Sequence, residues 1–206
     1  MRGTKGLSFT DPPRPEEEKL ACVSYAWKEE KHENPDRRNK VQEFCDRLSQ
    51  SGYEVVRDTN AVQLGDRLSE FMRRIGSSDR IYVFLSDAYL KSPNCMFELL
   101  QIWRTSCQDP DIFLDRIRVY RSPELKIFTV SERLAYAGYW KEECDATKKN
   151  IEQCGFGLLG QTDFMNWQRT KEFANQVNEM LAQITDVLQP ANFEEYIAAA
   201  AKELGT

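Results

Sequence analysis

With 206 residues, 41% of them hydrophobic, the chain is long enough to bury one good core and slightly long for a single ordinary domain. Its formal charge of −5 and pI near 5.2 exclude a protein whose main task is neutralising phosphates, so Arg37-Arg38 and Arg73-Arg74 read as solvated helix faces. No apolar run reaches the roughly 18 residues of a membrane span and the first residues lack the stretch of a secretory signal, so the expected location is the cytosol, with no membrane contact.

Residues 1–18 hold Pro12, Pro13 and Pro15 followed by glutamates, a composition that cannot bury enough surface to order itself, and they read as a flexible tail. LACVSYAW, from Leu20, reads as a short buried strand. Asn34 and Pro35 offer a helix cap and first turn. Val41, Phe44, Cys45 and Leu48 then recur as one buried stripe that Gly52 ends. A second strand follows over residues 53–58, then an aperiodic stretch, then a helix carrying Leu68, Phe71, Met72 and Ile75 and closed by Gly76.

Residues 80–86, RIYVFLS, are apolar on both alternating faces, the pattern of a central parallel strand covered on each side. Ser92 and Pro93 cap a helix through NCMFELLQIW, and residues 116–120 suit a fourth strand. From Ser131 the chain reads as helix, interrupted by GFGLLG at residues 155–160 and by Pro190, with FEEYIAAAAKEL as a last short helix. Its alanine run, Ala198 to Ala201, reads as a high-propensity stretch packed closely on the domain.

Alternating strands and helices imply right-handed crossovers and a doubly wound parallel α/β sheet. Ligands of such sheets sit outside the carboxyl ends of the strands, which directs attention to residues 25–27, 58–65 and 86–98. The six cysteines are scattered and read as reduced thiols, mostly packed in the core. No C-x-x-C pair is present and the one histidine, His32, falls in a polar loop, so no metal site is expected.

Four segments in register resemble a family. VSYAW at residues 23–27 resembles the first box of TIR (Toll/interleukin receptor) domains, and RDTNAVQLGD at residues 57–66 resembles their second strand with its BB loop. LSDAYLKSPNCMFELLQIW at residues 85–103 is similar to the third strand and following helix, including the Cys-x-x-Glu spacing of Cys95 and Glu98. Tyr139-Trp140 is similar to the aromatic third box.

The resemblance is to bacterial TIR domains of the NAD+-hydrolase type. It implies a flavodoxin-like TIR fold over residues 19–150 with a helical extension over residues 151–206 packed on it. It further implies an NAD+ glycohydrolase or cyclase, giving nicotinamide and ADP-ribose or a cyclic isomer, in defence against phage. NAD+ is then the substrate and no cofactor is needed. The different reading is a non-catalytic interaction module, whereas a flavodoxin or receiver domain lacks its acidic cluster and phosphate-cradling loop here.

Nicotinamide in NAD+ is a cationic leaving group, so one carboxylate near the ribose suffices to stabilise the oxocarbenium-like transition state. The resemblance places Glu98 in that role; the alternative is a helix glutamate facing solvent. Tyr25, Ala26, Trp27, Asp58, Leu64, Ser86, Tyr89 and Cys95 are the candidates to line the substrate cleft, with Ser86 and Tyr89 on a loop after the third strand. Trp27 either stacks on a base or packs, and Asp58 either binds ribose, orders the BB loop or forms a turn. Trp103 reads as a core residue. The family further implies self-association through the BB loop, Thr59 to Gly65, into an activated oligomer or filament, with a sensor domain or partner subunit as a further expected partner, while the acidic balance argues against direct nucleic-acid contact.

Overall fold

The computed structural model describes residues 20–26, 35–57, 80–187 and 192–203. Within them the apolar runs become four parallel strands in the order β2-β1-β3-β4. β1 is Leu20–Tyr25, β2 Glu54–Val56, β3 Ile81–Leu85 and β4 Ile117–Arg121. Tyr25 of β1 is paired with Phe84, and Ile81 of β3 with Ile117, so β1 and β3 share the centre. All five β3 side chains are buried, as expected of a strand covered on both faces.

Side chains alternate across each strand, and two separate cores result. Ala21, Val23, Tyr82 and Phe84 meet α1 (Pro35–Gln50) and α7 (Phe193–Glu203), with Phe44 stacked on Tyr196 at 5.2 Å between ring centroids. Cys22, Ile81, Val83 and Leu85 meet the helices of the opposite face. Those are α2 (Asp87–Lys91), α3 (Pro93–Thr105), α4 (Pro110–Arg116), α5 (Val130–Cys154) and α6 (Gln161–Asp186). The doubly wound architecture is therefore present, with α6 and α7 on opposite sides of the edge strand β4.

Local chemistry explains the boundaries. Gly52, at φ +83°, turns the chain from α1 into β2 in a conformation other residues enter only at a cost, while Asn34, the expected α1 cap, lies outside the described residues. Ser92 caps α3 ahead of Pro93, and Thr129 and Glu132 form a reciprocal capping box that starts α5 at Val130. α5 runs unbroken through residue 150 to Cys154, then doubles back into α6 through a 3-10 turn, Phe156–Leu158. α6 contributes Phe173, Val177, Met180, Leu181 and Ile184 to the α3-side core.

Several elements differ from the sequence reading. β1 ends at Tyr25 and β2 at Val56, each two residues short, and the helix expected around Leu68 to Ile75 lies outside the described residues. α2 and α4 are additions: α2 is too short to show periodicity, whereas α4 carries a signal in Asp109, which accepts hydrogen bonds from the N–H groups of Asp111 and Ile112 ahead of Pro110. Of the alanine run only Ala200 is buried, with Ala198 and Ala199 exposed. Cys22, Cys45 and Cys95 are core residues, but Cys107 and Cys154 are exposed. No described helix is long and apolar enough to cross a membrane.

Candidate active site

Ser24 is the polar interruption of an otherwise apolar strand, one residue short of the carboxyl end of β1, and its side chain leaves the sheet on the α3 side. Glu98 meets it from α3. Five residues past Pro93, Glu98 lies about 7.5 Å along its helix, in the second turn of an element buried almost all round. It is 4% exposed, which overturns the alternative of a glutamate facing solvent.

The Ser24 hydroxyl donates to Oε2 of Glu98, and Ser24 Oγ lies 2.8 Å from the hydroxyl of Tyr89. A serine has a single proton to donate. With that proton committed to the carboxylate, the Tyr89 hydroxyl must donate to Ser24, so the relay runs from Tyr89 through Ser24 to Glu98. Burial, and then the neighbouring charges of Glu98 and Cys95, push the Tyr89 phenol well above its ordinary value, so it remains a donor. Cys95, three residues before Glu98 and buried, shares that helix face.

Tyr89 is itself held in place. It lies in α2, not on a loop, because Ser86 caps that helix by accepting from the Tyr89 N–H at 2.9 Å. Ser86, 2% exposed, thus serves the backbone of the relay. Trp140 donates from Nε1 to the carbonyl of Leu90 at 2.8 Å, and Tyr136 donates to Asp87 at 3.0 Å, so α5 clamps α2 from above. Burial, followed by Asp87, raises the Tyr136 phenol. The aromatic third box therefore has a physical task, since Trp140 fixes the helix that carries Tyr89.

The remaining candidates divide. Ala26 packs on the core of the Glu98 face, but Tyr25, next to Ser24 in a strand whose side chains alternate, packs on the opposite face with the α1 and α7 core. Tyr25 is therefore not brought to Glu98. Trp27, Asp58, Leu64 and the BB loop from Thr59 to Gly65 lie outside the described residues. Trp103 is a core residue that donates from Nε1 to Gln176 on α6 at 3.2 Å. Among the described residues no group of three His, Cys, Asp or Glu side chains could hold a metal ion.

Ser24 is the buried partner of Glu98 that the sequence reading passed over. A lone hydroxyl in LACVSYAW, on the same face as Cys22, was the available signal.

The family model of the TIR domain matches residues 22–154. The chain belongs to the TIR domain family. In three dimensions this TIR domain is similar to those in a structure described as the activated Roq1 resistosome directly recognizing the pathogen effector XopQ (TIR domains). The match has a TM-score of 0.54 at 15% identity and covers 90% of this chain and 98% of that one. A likeness at that identity shows the fold. No curated protein matches the chain.

Proposed function

We propose that this TIR domain is an NAD+ glycohydrolase or cyclase that cleaves the nicotinamide-ribose bond, with Glu98 as its catalytic carboxylate. One observation carries the reading: Glu98 is buried beside the carboxyl end of a central strand, with Oε2 bound by a two-hydroxyl relay. Glutamates are almost never buried unless paired, and a carboxylate in a poorly polarisable site interacts strongly with positive charge developing on a neighbouring sugar. Nicotinamide departs as a neutral molecule from its cationic bound form, so no general acid is required. Water or an adenine nitrogen then captures the ribose, giving ADP-ribose or a cyclic isomer.

In this reading NAD+ enters over Glu98 from the carboxyl ends of the strands, and Trp27, Asp58 and Leu64 are the residues we propose for the rest of its binding site. Self-association through the BB loop, Thr59 to Gly65, completes the site between protomers. A role in defence against phage rests on the sequence resemblance alone.

The competing interaction-module reading draws on the same carboxylate, because its inward bond to Ser24 also suits a purely architectural glutamate. Chromatography of NAD+ products, on protein alone and on protein fused to an oligomerising partner, separates the two. Nicotinamide release that Glu98→Gln abolishes, with an unchanged circular dichroism spectrum, supports the enzyme. Equal turnover by wild type and Glu98→Gln, or no turnover by the enforced oligomer, sinks it.

A further inference from the structure

The helix that carries Glu98 has a second charged neighbourhood, on the side that faces α6. Phe97 and Arg104, two turns apart, share one side of α3, and Met165, Arg169 and Glu172 recur at helical spacing along α6. The two stripes line a groove of about 280 Å³.

Its charges do not balance. Arg104 holds Glu172 through both carboxylate oxygens, donating from Nε at 2.7 Å and from Nη2. A fork-to-fork pair of this kind uses up the carboxylate that lines the groove. Arg169 donates from Nη1 to the side-chain oxygen of Asn166 at 3.1 Å, and among the described residues no carboxylate pairs with it. Its guanidinium instead lies over the Phe97 ring, 4.1 Å from the centroid. Packing there strips away part of its hydration, and Arg104 adds like-charge repulsion, so both causes lower the Arg169 pKa. Two guanidiniums against one carboxylate leave one positive charge in excess. It sits on a side chain that is partly exposed and therefore reachable from the groove.

We infer that this groove binds a small carboxylate with an apolar ring, its carboxylate seated on Arg169 and its ring against Met165. A single negative charge restores neutrality there, whereas a phosphate dianion overshoots it. A planar carboxylate also matches the guanidinium fork, and a guanidinium already short of water attracts it more strongly than a fully hydrated one. Met165, 47% exposed, supplies an adaptable apolar wall. A cavity of about 150 Å³ holds a benzene, so the groove has room for one ring and its carboxylate.

Benzoate and its neutral isostere benzamide are the probes, titrated into the whole chain and followed by methyl NMR at Met165. Saturable benzoate binding with a Kd near about 1 mM is expected, with benzamide at least about tenfold weaker. Arg169→Gln should weaken benzoate about tenfold. Glu172→Gln, which removes the groove's own carboxylate, should tighten benzoate about threefold, an outcome that a mere packing role for Arg169 does not produce. Both substitutions fall at partly exposed positions, and the second keeps the test open if the first misfolds. Absence of saturable binding, benzamide binding as tightly as benzoate, inorganic phosphate binding more tightly than benzoate, or no gain in Glu172→Gln overturns the site.

Discussion

Tyr89 and Tyr82 are both fully buried, one on each face of the sheet, and they differ in what their hydroxyls meet. Tyr89 donates into a chain that ends on a carboxylate, so its burial organises a charge. Tyr82 is enclosed by its neighbours and donates to nothing described. A buried polar network fixes one arrangement of its members when every group is paired, whereas a lone buried hydroxyl is a standing cost to the fold. The same residue type at the same depth thus joins a network in one region and stands unpaired among the described residues in the other.

The strongest way to break this contrast is at its charged end. Glu98→Gln preserves shape and should lower nicotinamide release by about a thousandfold, read by chromatography of NAD+ products. Ser24→Ala removes the donor to a buried carboxylate, so stability should fall by about 2 kcal/mol in urea unfolding and turnover by at least roughly tenfold. Unchanged stability in this variant would mean that the relay is incidental.

The two tyrosines can be set directly against each other. Tyr89→Phe leaves Ser24 without its outer donor and should lose about 1–2 kcal/mol, whereas Tyr82→Phe removes an unpaired hydroxyl and should be neutral or stabilising by up to about 1 kcal/mol. Thermal melts of both variants give the comparison, and equal losses would erase the distinction.

A smaller effect appears in alkali. Tyr89, Tyr196 and Tyr82 all hold their protons above the ordinary tyrosine value of 10.0 in the folded state, each chiefly through burial, while the unfolded chain releases them. Stability should therefore fall as pH rises through about 10, by up to about 1.4 kcal/mol per pH unit for each tyrosine, and for Tyr82 stop falling near pH 12. Tyr82→Phe should make the slope shallower by up to one such increment between pH 10 and 12, measured by urea unfolding.

Much of the architecture was legible because strands and long helices advertise their periods. β3 was readable as a central strand from its unbroken apolar run, and α3 from Ser92, Pro93 and the stripe behind them. The short elements were not, since the five residues of α2 hold too few turns to show a repeat, and Ser86 and Tyr89 therefore read as loop. Glu98 was identifiable from its motif. Ser24, its partner, is 74 residues away in the chain, and no local pattern records such a distance.

By itself the sequence determined the doubly wound class, the order of its four strands and of the longer described helices, and the candidacy of Glu98, because hydrophobic period, caps and motif spacing are local properties of the chain. Only the tertiary structure decided that Glu98 turns inward to Ser24, that Tyr25 belongs to the other face, and that the Tyr82 hydroxyl is buried without a hydrogen-bond partner among the described residues. Those outcomes depend on which side of the sheet each residue leaves and on what a distant helix brings against it.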